Sequence, residues 1–260
     1  MSNPKLMAIV PAFNEEGRIG KTLTKLLDIN EVNEICVIDD GSTDATLEVA
    51  KKYPVTVLSH NKNSGKGKAI RTGIDYFLQT DFDLAIFIDA DGQHDPNDIP
   101  KFVRHFQRYP NYDIVVASRF GTDQWTNNMP FLRKISNLLS RFGIWILYNG
   151  LVIEDPQNGY RAYSREVLEN IEFKTTGYEA ETEMLIDSYL MGFEIGRIHI
   201  ESIYDEEGNA SKFSLLMDTW KIPGVMVKSF FRRRPFILRT KDRQIKYRQI
   251  RTKFHTTVQG

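Results

Sequence analysis

The stretch LAIFIDADGQHDP, Leu84 to Pro96, decides how the rest of the chain is read. Five apolar residues run straight into Asp89, Asp91 and Asp95. Carboxylates crowded this closely repel one another, so each needs a helix to cap or a cation to face. A short apolar run ended by polar turn residues suits a strand buried on both faces. Asp95, directly before Pro96, reads as turn and helix-start chemistry. Asp89 and Asp91 have no helix to cap. Two carboxylates one residue apart beyond a strand can turn toward one hard cation. Mg²⁺ or Mn²⁺ takes oxygen ligands, keeps waters and bridges substrate phosphates. The crowding is expected to make sense only with such an ion and a sugar nucleotide bound, so that the bare site is a weak point.

The same pattern recurs on either side of this stretch. Residues 6–13, 34–40, 55–60 and 113–118 read as further strands, and 15–28, 44–53, 66–79 and 98–108 carry apolar residues at helical spacing. Strands alternating with helices predict a mostly parallel α/β sheet, flanked by helices and joined by right-handed crossovers. Later in the chain, helices are expected at 131–148, 164–171 and 179–191, then a strand at 194–204. There is no internal repeat. The division expected is one domain over 1–215 and a basic, partly amphipathic tail over 216–260, with an interfacial helix bent at Pro223–Gly224.

In open parallel sheets, ligands bind beyond the carboxyl ends of the strands. The polar clusters PAFNEE, DDGSTD, DADGQHD and SRF fall there. Asp44 is expected to cap the following helix, whereas Asp39 precedes a glycine turn. The glycine-lysine run Gly65–Lys66–Gly67 does not fit a P-loop, which excludes a Walker-type NTPase.

Composition narrows the function classes. One cysteine, Cys36, excludes a disulfide framework, and its apolar setting predicts a buried, inert thiol. The N-terminus lacks the basic and cleavage segments of a signal peptide, and no apolar stretch reaches the length of a membrane span. The formal net charge is zero, yet residues 221–260 hold twelve Lys/Arg against Asp242 alone. That is a net +11 on the tail, which leaves −11 on the first 220 residues. A basic, aromatic tail on an acidic body points to an anionic surface, either lipid or nucleic acid.

In order along the chain, PAFNEE, VIDDGSTD, NSGKGKAIRTG, IDADGQHDP, SRF, DPQNGYRA and GYEAETEML match the pattern of inverting family-2 glycosyltransferases with the GT-A fold. The resemblance covers about residues 5–215, and within the family it is to the dolichyl- and polyprenyl-phosphate sugar synthases, such as dolichol-phosphate mannose synthase. It implies metal-dependent transfer of a hexose from a GDP- or UDP-sugar to a dolichyl or polyprenyl phosphate. The enzyme would lie on the cytosolic membrane face, held at an anionic surface by its tail. Two alternatives stand beside it: a soluble transferase acting on a saccharide hydroxyl, and a non-catalytic nucleic-acid-binding protein. The intact acidic motifs weigh against the latter.

The resemblance also implies roles for single residues. Pro11, Ala12, Phe13 and Glu15 match the nucleoside-holding segment, and Asp39 the acid that contacts the base. Lys66 and Ala90 match donor contacts, and Asp89, Asp91 and Gln93 match the metal and diphosphate site. His94, beside them, is equally a ligand or a turn stabiliser. On the acceptor side a phosphate monoester is already ionised and needs cations that position it rather than a strong base. Arg119, Arg133, Arg161 and Lys212 are the candidates. A hydroxyl acceptor would need a carboxylate base, for which Asp155 or Glu181 would serve. Where mannose synthases often carry an arginine, this chain has Glu206 and Glu207.

Overall fold

The computed structural model describes residues 4–119, 131–148 and 151–200, together with Gly224. Apart from Gly224, the tail over 216–260 with its bend at Pro223–Gly224, and Lys212, Glu206 and Glu207, lie outside the described residues. Arg133 lies within a described helix, but its side chain does not belong to the described part.

Strand β1 (Leu6–Ala12) is followed by α1 (Ile19–Leu27), β2 (Val32–Asp39), α2 (Thr46–Ala50), β3 (Thr56–Ser59), α3 (Lys66–Phe77) and β4 (Leu84–Phe87). A 3₁₀ turn at Pro96–Asp98 then leads into α4 (Ile99–Arg108) and β5 (Ile114–Ser118). After these come α5 (Phe131–Leu147), β6 (Arg161–Ser164), α6 (Arg165–Asn170), α7 (Ala180–Met191) and β7 (Ile195–His199). The seven strands form one sheet in the order β3-β2-β1-β4-β6-β5-β7.

Strands β1 to β4 pair in parallel, and β7 runs parallel to β5. Strand β6 runs antiparallel to both β4 and β5, its Arg161 opposite Phe87 and Val116. The expected parallel, helix-flanked sheet is present, with β6 as an unexpected reversal inside it. Its four residues, RAYS, open on a charge and close on a hydroxyl, so they carry no apolar run that would mark a strand.

Alternation along the strands divides the core in two. Met7 and Ile9 face one side of the sheet, with Ile70, Ile74 and Phe77 of α3 and Ile144 and Tyr148 from and just beyond α5. Leu6, Ala8 and Val10 face the other, against Ile19, Leu23 and Leu26 of α1 and Phe102 of α4. Each central strand is covered on both faces, as its continuous apolar run requires. Cys36 sits in the first of these cores, and burial pushes its thiol up to about 12, so it stays protonated and inert. Among the described residues no helix is long and apolar enough to cross a membrane.

Candidate active site

The carboxyl ends of β1, β2 and β4, the start of α3 and the start of α7 surround a cleft of about 620 Å³. Pro11, Ala12, Phe13 and Glu15 leave β1 along one wall. This turn is knitted to the one after β2. Asn14, at φ +53°, donates its N–H to Ser42 Oγ at 2.9 Å and accepts the Thr43 N–H at 2.8 Å. The Glu15 carboxylate accepts from Arg18 Nε at 2.6 Å.

Asp39 and Asp40 make different contacts. Asp39 is the last residue of β2, only 1% exposed, and accepts from Ser59 Oγ at 3.0 Å and the Ser42 N–H at 3.3 Å. It serves the turn, while Asp40 lines the cleft. Asp40 accepts the backbone N–H groups of Gly65 at 2.7 Å and Ser64 at 3.0 Å. His60 Nδ1 lies 2.7 Å from the oxygen that accepts from Ser64, and His60 Nε2 meets Thr72 Oγ1 at 2.9 Å. Asp40 therefore fixes the loop that delivers Lys66.

That delivery also needs glycine. Gly65 has φ +94°, and a Cβ there would stand 2.4 Å from the Thr176 carbonyl oxygen. The chain instead closes onto the segment before α7, with the Gly67 N–H donating to Thr176 O at 2.7 Å.

The Lys66 ammonium lies 2.7 Å from one Asp89 oxygen, 2.9 Å from the other and 3.0 Å from Glu181. Burial alone would lower the lysine's pKa, but Asp89 and Glu181 outweigh it and hold the ammonium protonated. A Cβ on Gly159 would fall 2.5 Å from Glu181 Oε1 and 3.0 Å from Lys66 Nζ, so only glycine leaves room for this triad. Of the crowded acids, Asp89 is thus met by a cation of the chain's own.

Ala90, Asp91, Gln93 and His94 continue the same wall. Asp91 accepts the Gln93 N–H at 3.0 Å, and Gly92, at φ +76°, makes the turn. Asp95 caps the 3₁₀ turn through the Asn97 N–H at 3.2 Å, and Asp44 accepts from the Thr46 N–H at 3.0 Å at the start of α2, both as expected of helix-start residues. His94 stacks on Tyr160 with centroids 5.0 Å apart, and burial pushes its pKa down, which keeps the ring neutral. Its Nδ1 is buried without a hydrogen-bond partner.

Across the cleft, Arg119 pairs with Asp155 through Nε at 2.6 Å and Nη2 at 2.8 Å. Asn137 of α5 adds a donor to Asp155 at 2.6 Å. Burial would raise the fully buried Asp155, but the Arg119 guanidinium and the added donors hold it below the usual carboxylate range. Arg119 reaches the cleft wall and Asp155 does not.

Arg161 is a correction. It is 1% exposed, and its guanidinium donates to the carbonyls of Asn158 at 2.6 Å, Pro156 at 2.7 Å and Glu181. It ties β6 to the start of α7 and is not placed to meet an acceptor. Reading the sequence also missed Asp40, Tyr178, Gln157 and Asn158 as cleft residues. Each lies in a quoted motif: Asp40 in DDGSTD, Gln157 and Asn158 in DPQNGYRA, and Tyr178 in GYEAETEML.

The family model for glycosyl transferase family 2 matches residues 7–172. An uncharacterized protein of Methanocaldococcus jannaschii is 38% identical, over 79% of this chain and 84% of its own. A UDP-N-acetylglucosamine–dolichyl-phosphate N-acetylglucosaminyltransferase of Methanococcus voltae is 32% identical, over 79% of this chain and 88% of its own. The fold is shared with glucosyl-3-phosphoglycerate synthase of Mycobacterium tuberculosis, crystallised with Mn²⁺, UDP and phosphoglyceric acid. That match has a TM-score of 0.70 and 23% identity, over 87% of this chain and 78% of the other. The chain belongs to glycosyl transferase family 2 and is a glycosyltransferase with the GT-A fold.

Proposed function

We propose that this family 2 enzyme moves a hexose from a GDP- or UDP-sugar to a polyprenyl phosphate, with inversion at the anomeric carbon. The observation that carries the acceptor assignment is the state of the two carboxylates that could act as a base. A hydroxyl acceptor needs a proton acceptor within reach. Asp155 is buried, held ionised and bound to Arg119 and Asn137, while Glu181 is ion-paired with Lys66. An ionised phosphate requires neither. The kinship with the N-acetylglucosaminyltransferase of Methanococcus voltae, which by its name acts on dolichyl phosphate, supports the same class of acceptor.

The donor set fits Mg²⁺ or Mn²⁺. Among the described residues no three His, Cys, Asp or Glu side chains come together as a metal-binding group. Asp89, Asp91 and the Gln93 amide offer oxygen ligands and leave positions for water and phosphate, as Mg²⁺ and Mn²⁺ prefer. The ion would stabilise the negative charge of the departing nucleoside diphosphate. Pro11 to Glu15 and Asp40 shape the nucleoside end of the cleft, and the Asp40-anchored loop keeps the Lys66 ammonium at the diphosphate end. Arg119, already oriented by Asp155, offers positive charge on the wall opposite. We assign Arg133 and Lys212 to the acceptor side with it. The tail over 216–260 is assigned to an anionic membrane surface at the cytosolic face.

The test is radiolabelled transfer from UDP-GlcNAc, UDP-glucose, UDP-galactose and GDP-mannose, each with Mg²⁺ or Mn²⁺, into a short-chain, water-soluble polyprenyl phosphate. Label in the lipid phosphate from one donor, abolished by EDTA, is the expected result. Label only in saccharide hydroxyls would overturn the acceptor assignment.

A further inference from the structure

Strand β3 ends on Ser59, and His60 follows it; neither residue lines the cleft. Yet together they hold both acids of the DDGSTD turn. Ser59 Oγ donates to Asp39, and His60 Nδ1 stands 2.7 Å from Asp40 Oδ1. A carboxylate only accepts, so the proton of that second contact belongs to Nδ1. The other ring nitrogen, Nε2, meets the Thr72 hydroxyl of α3, which fixes the imidazole at both ends. The side chain is 15% exposed, so little water competes for either contact.

Asp40 passes this grip on. The oxygen that faces His60 also accepts the Ser64 N–H, and its other oxygen accepts the Gly65 N–H. Gly65 directly precedes α3, and Lys66 is the first residue of that helix. His60 therefore holds α3 twice, through Thr72 in its second turn and through Asp40 at its entry. A second observation seats the intervening loop on the same turn. Gly41 has φ +68°, and a Cβ there would stand 2.3 Å from the Lys62 carbonyl carbon.

We infer that His60 is a positioning residue, acting through Asp40 on the amides of Ser64 and Gly65 and so on the Lys66 ammonium. Without the Nδ1 proton, Asp40 loses one of its three donors and is free to turn away from the two amides. A ring that merely bridged β3 and α3 would act through Nε2 and Thr72 instead. The consequence for the donor rests on the place given above to Lys66 at the diphosphate end; the hold on the amides is measured without it.

Asparagine and glutamine separate the two ring nitrogens, because the amide nitrogen of one stands where Nδ1 does and that of the other where Nε2 does. The 260-residue chain is compared with His60→Asn, His60→Gln and His60→Ala by amide hydrogen exchange without ligand. The same four proteins are titrated calorimetrically with UDP and with GDP in the presence of Mn²⁺. In His60→Gln and His60→Ala the Ser64 and Gly65 amides should exchange about tenfold faster or more, the factor for losing one hydrogen bond to a charged group. The Kd of the nucleotide that binds wild type should rise by a similar factor. His60→Asn should stay close to wild type in both, and the amides of Leu23 and Leu26 in α1 should be unchanged throughout. Rescue by glutamine but not by asparagine overturns the inference, since the Thr72 bridge would then carry the effect. So does a loss of protection spread equally over α1, which would make His60 a general support. Faster exchange at Ser64 and Gly65 with unchanged nucleotide affinity would uphold the hold on the loop and remove Lys66 from the diphosphate end.

Discussion

The two walls of the cleft hold an acid and a cation by different means. On the proposed donor side Asp89 is 26% exposed and its partner is the ammonium of Lys66, a single point on a flexible stem. On the proposed acceptor side Asp155 is wholly buried and meets the planar fork of Arg119, itself 4% exposed. A fork locked into a buried carboxylate has one arrangement. An ammonium shared between Asp89 and Glu181 can give up either. The first wall is built to exchange partners and the second to keep them.

Removing one partner from each wall tests this difference most severely. Arg119→Met leaves Asp155 buried and uncompensated, and should cost about 3–5 kcal/mol of stability in urea unfolding. Asp89→Asn should cost about 1 kcal/mol or less, since Lys66 keeps Glu181. Similar losses from both would erase the contrast. The pH dependence carries the same sign test. Asp155 in the native chain has a lowered pKa, so its contribution is complete above the ordinary value near pH 4 and fades as pH falls further. In Arg119→Met the carboxyl becomes a buried acid that prefers its proton, so acidification should narrow the gap between variant and wild type.

Activity reverses the order of the walls. Asp91→Asn should reduce turnover by about 10²–10³-fold, the size expected when one group that stabilises transition-state charge is lost, with the urea midpoint unchanged. Retained turnover would remove Asp91 from the metal and diphosphate site. Between these extremes lies the loop that carries Lys66. Gly65→Ala should cost about 1–3 kcal/mol, because φ +94° is strained for alanine and its Cβ meets a carbonyl. The last effect is on ion affinity. Lys66→Met should tighten nucleotide-free Mn²⁺ binding, followed by electron paramagnetic resonance, by about 1 kcal/mol as a competing cation leaves Asp89.

The exchangeable wall was the more legible in the sequence. Strands β1, β2 and β4 are apolar runs that stop at acids, and such a pattern fixes both strand and strand end. One residue of register escaped: Asp39 still pairs with Ala12 as the last residue of β2, and Asp40 is the first beyond it. A run of two aspartates does not say where the ladder stops. The fixed wall was less legible because its partners are distant. Arg161 reads as an exposed cation until the carbonyls of residues 156, 158 and 181 are folded around it. Strand β6 was hidden by the same arginine.

The lysine between Asp89 and Glu181 bears on what removal of the ion does to the chain. If transfer is metal-dependent, as proposed, the Lys66 pair leaves Asp89 compensated when no ion is bound, so EDTA should abolish transfer and leave the urea midpoint unchanged.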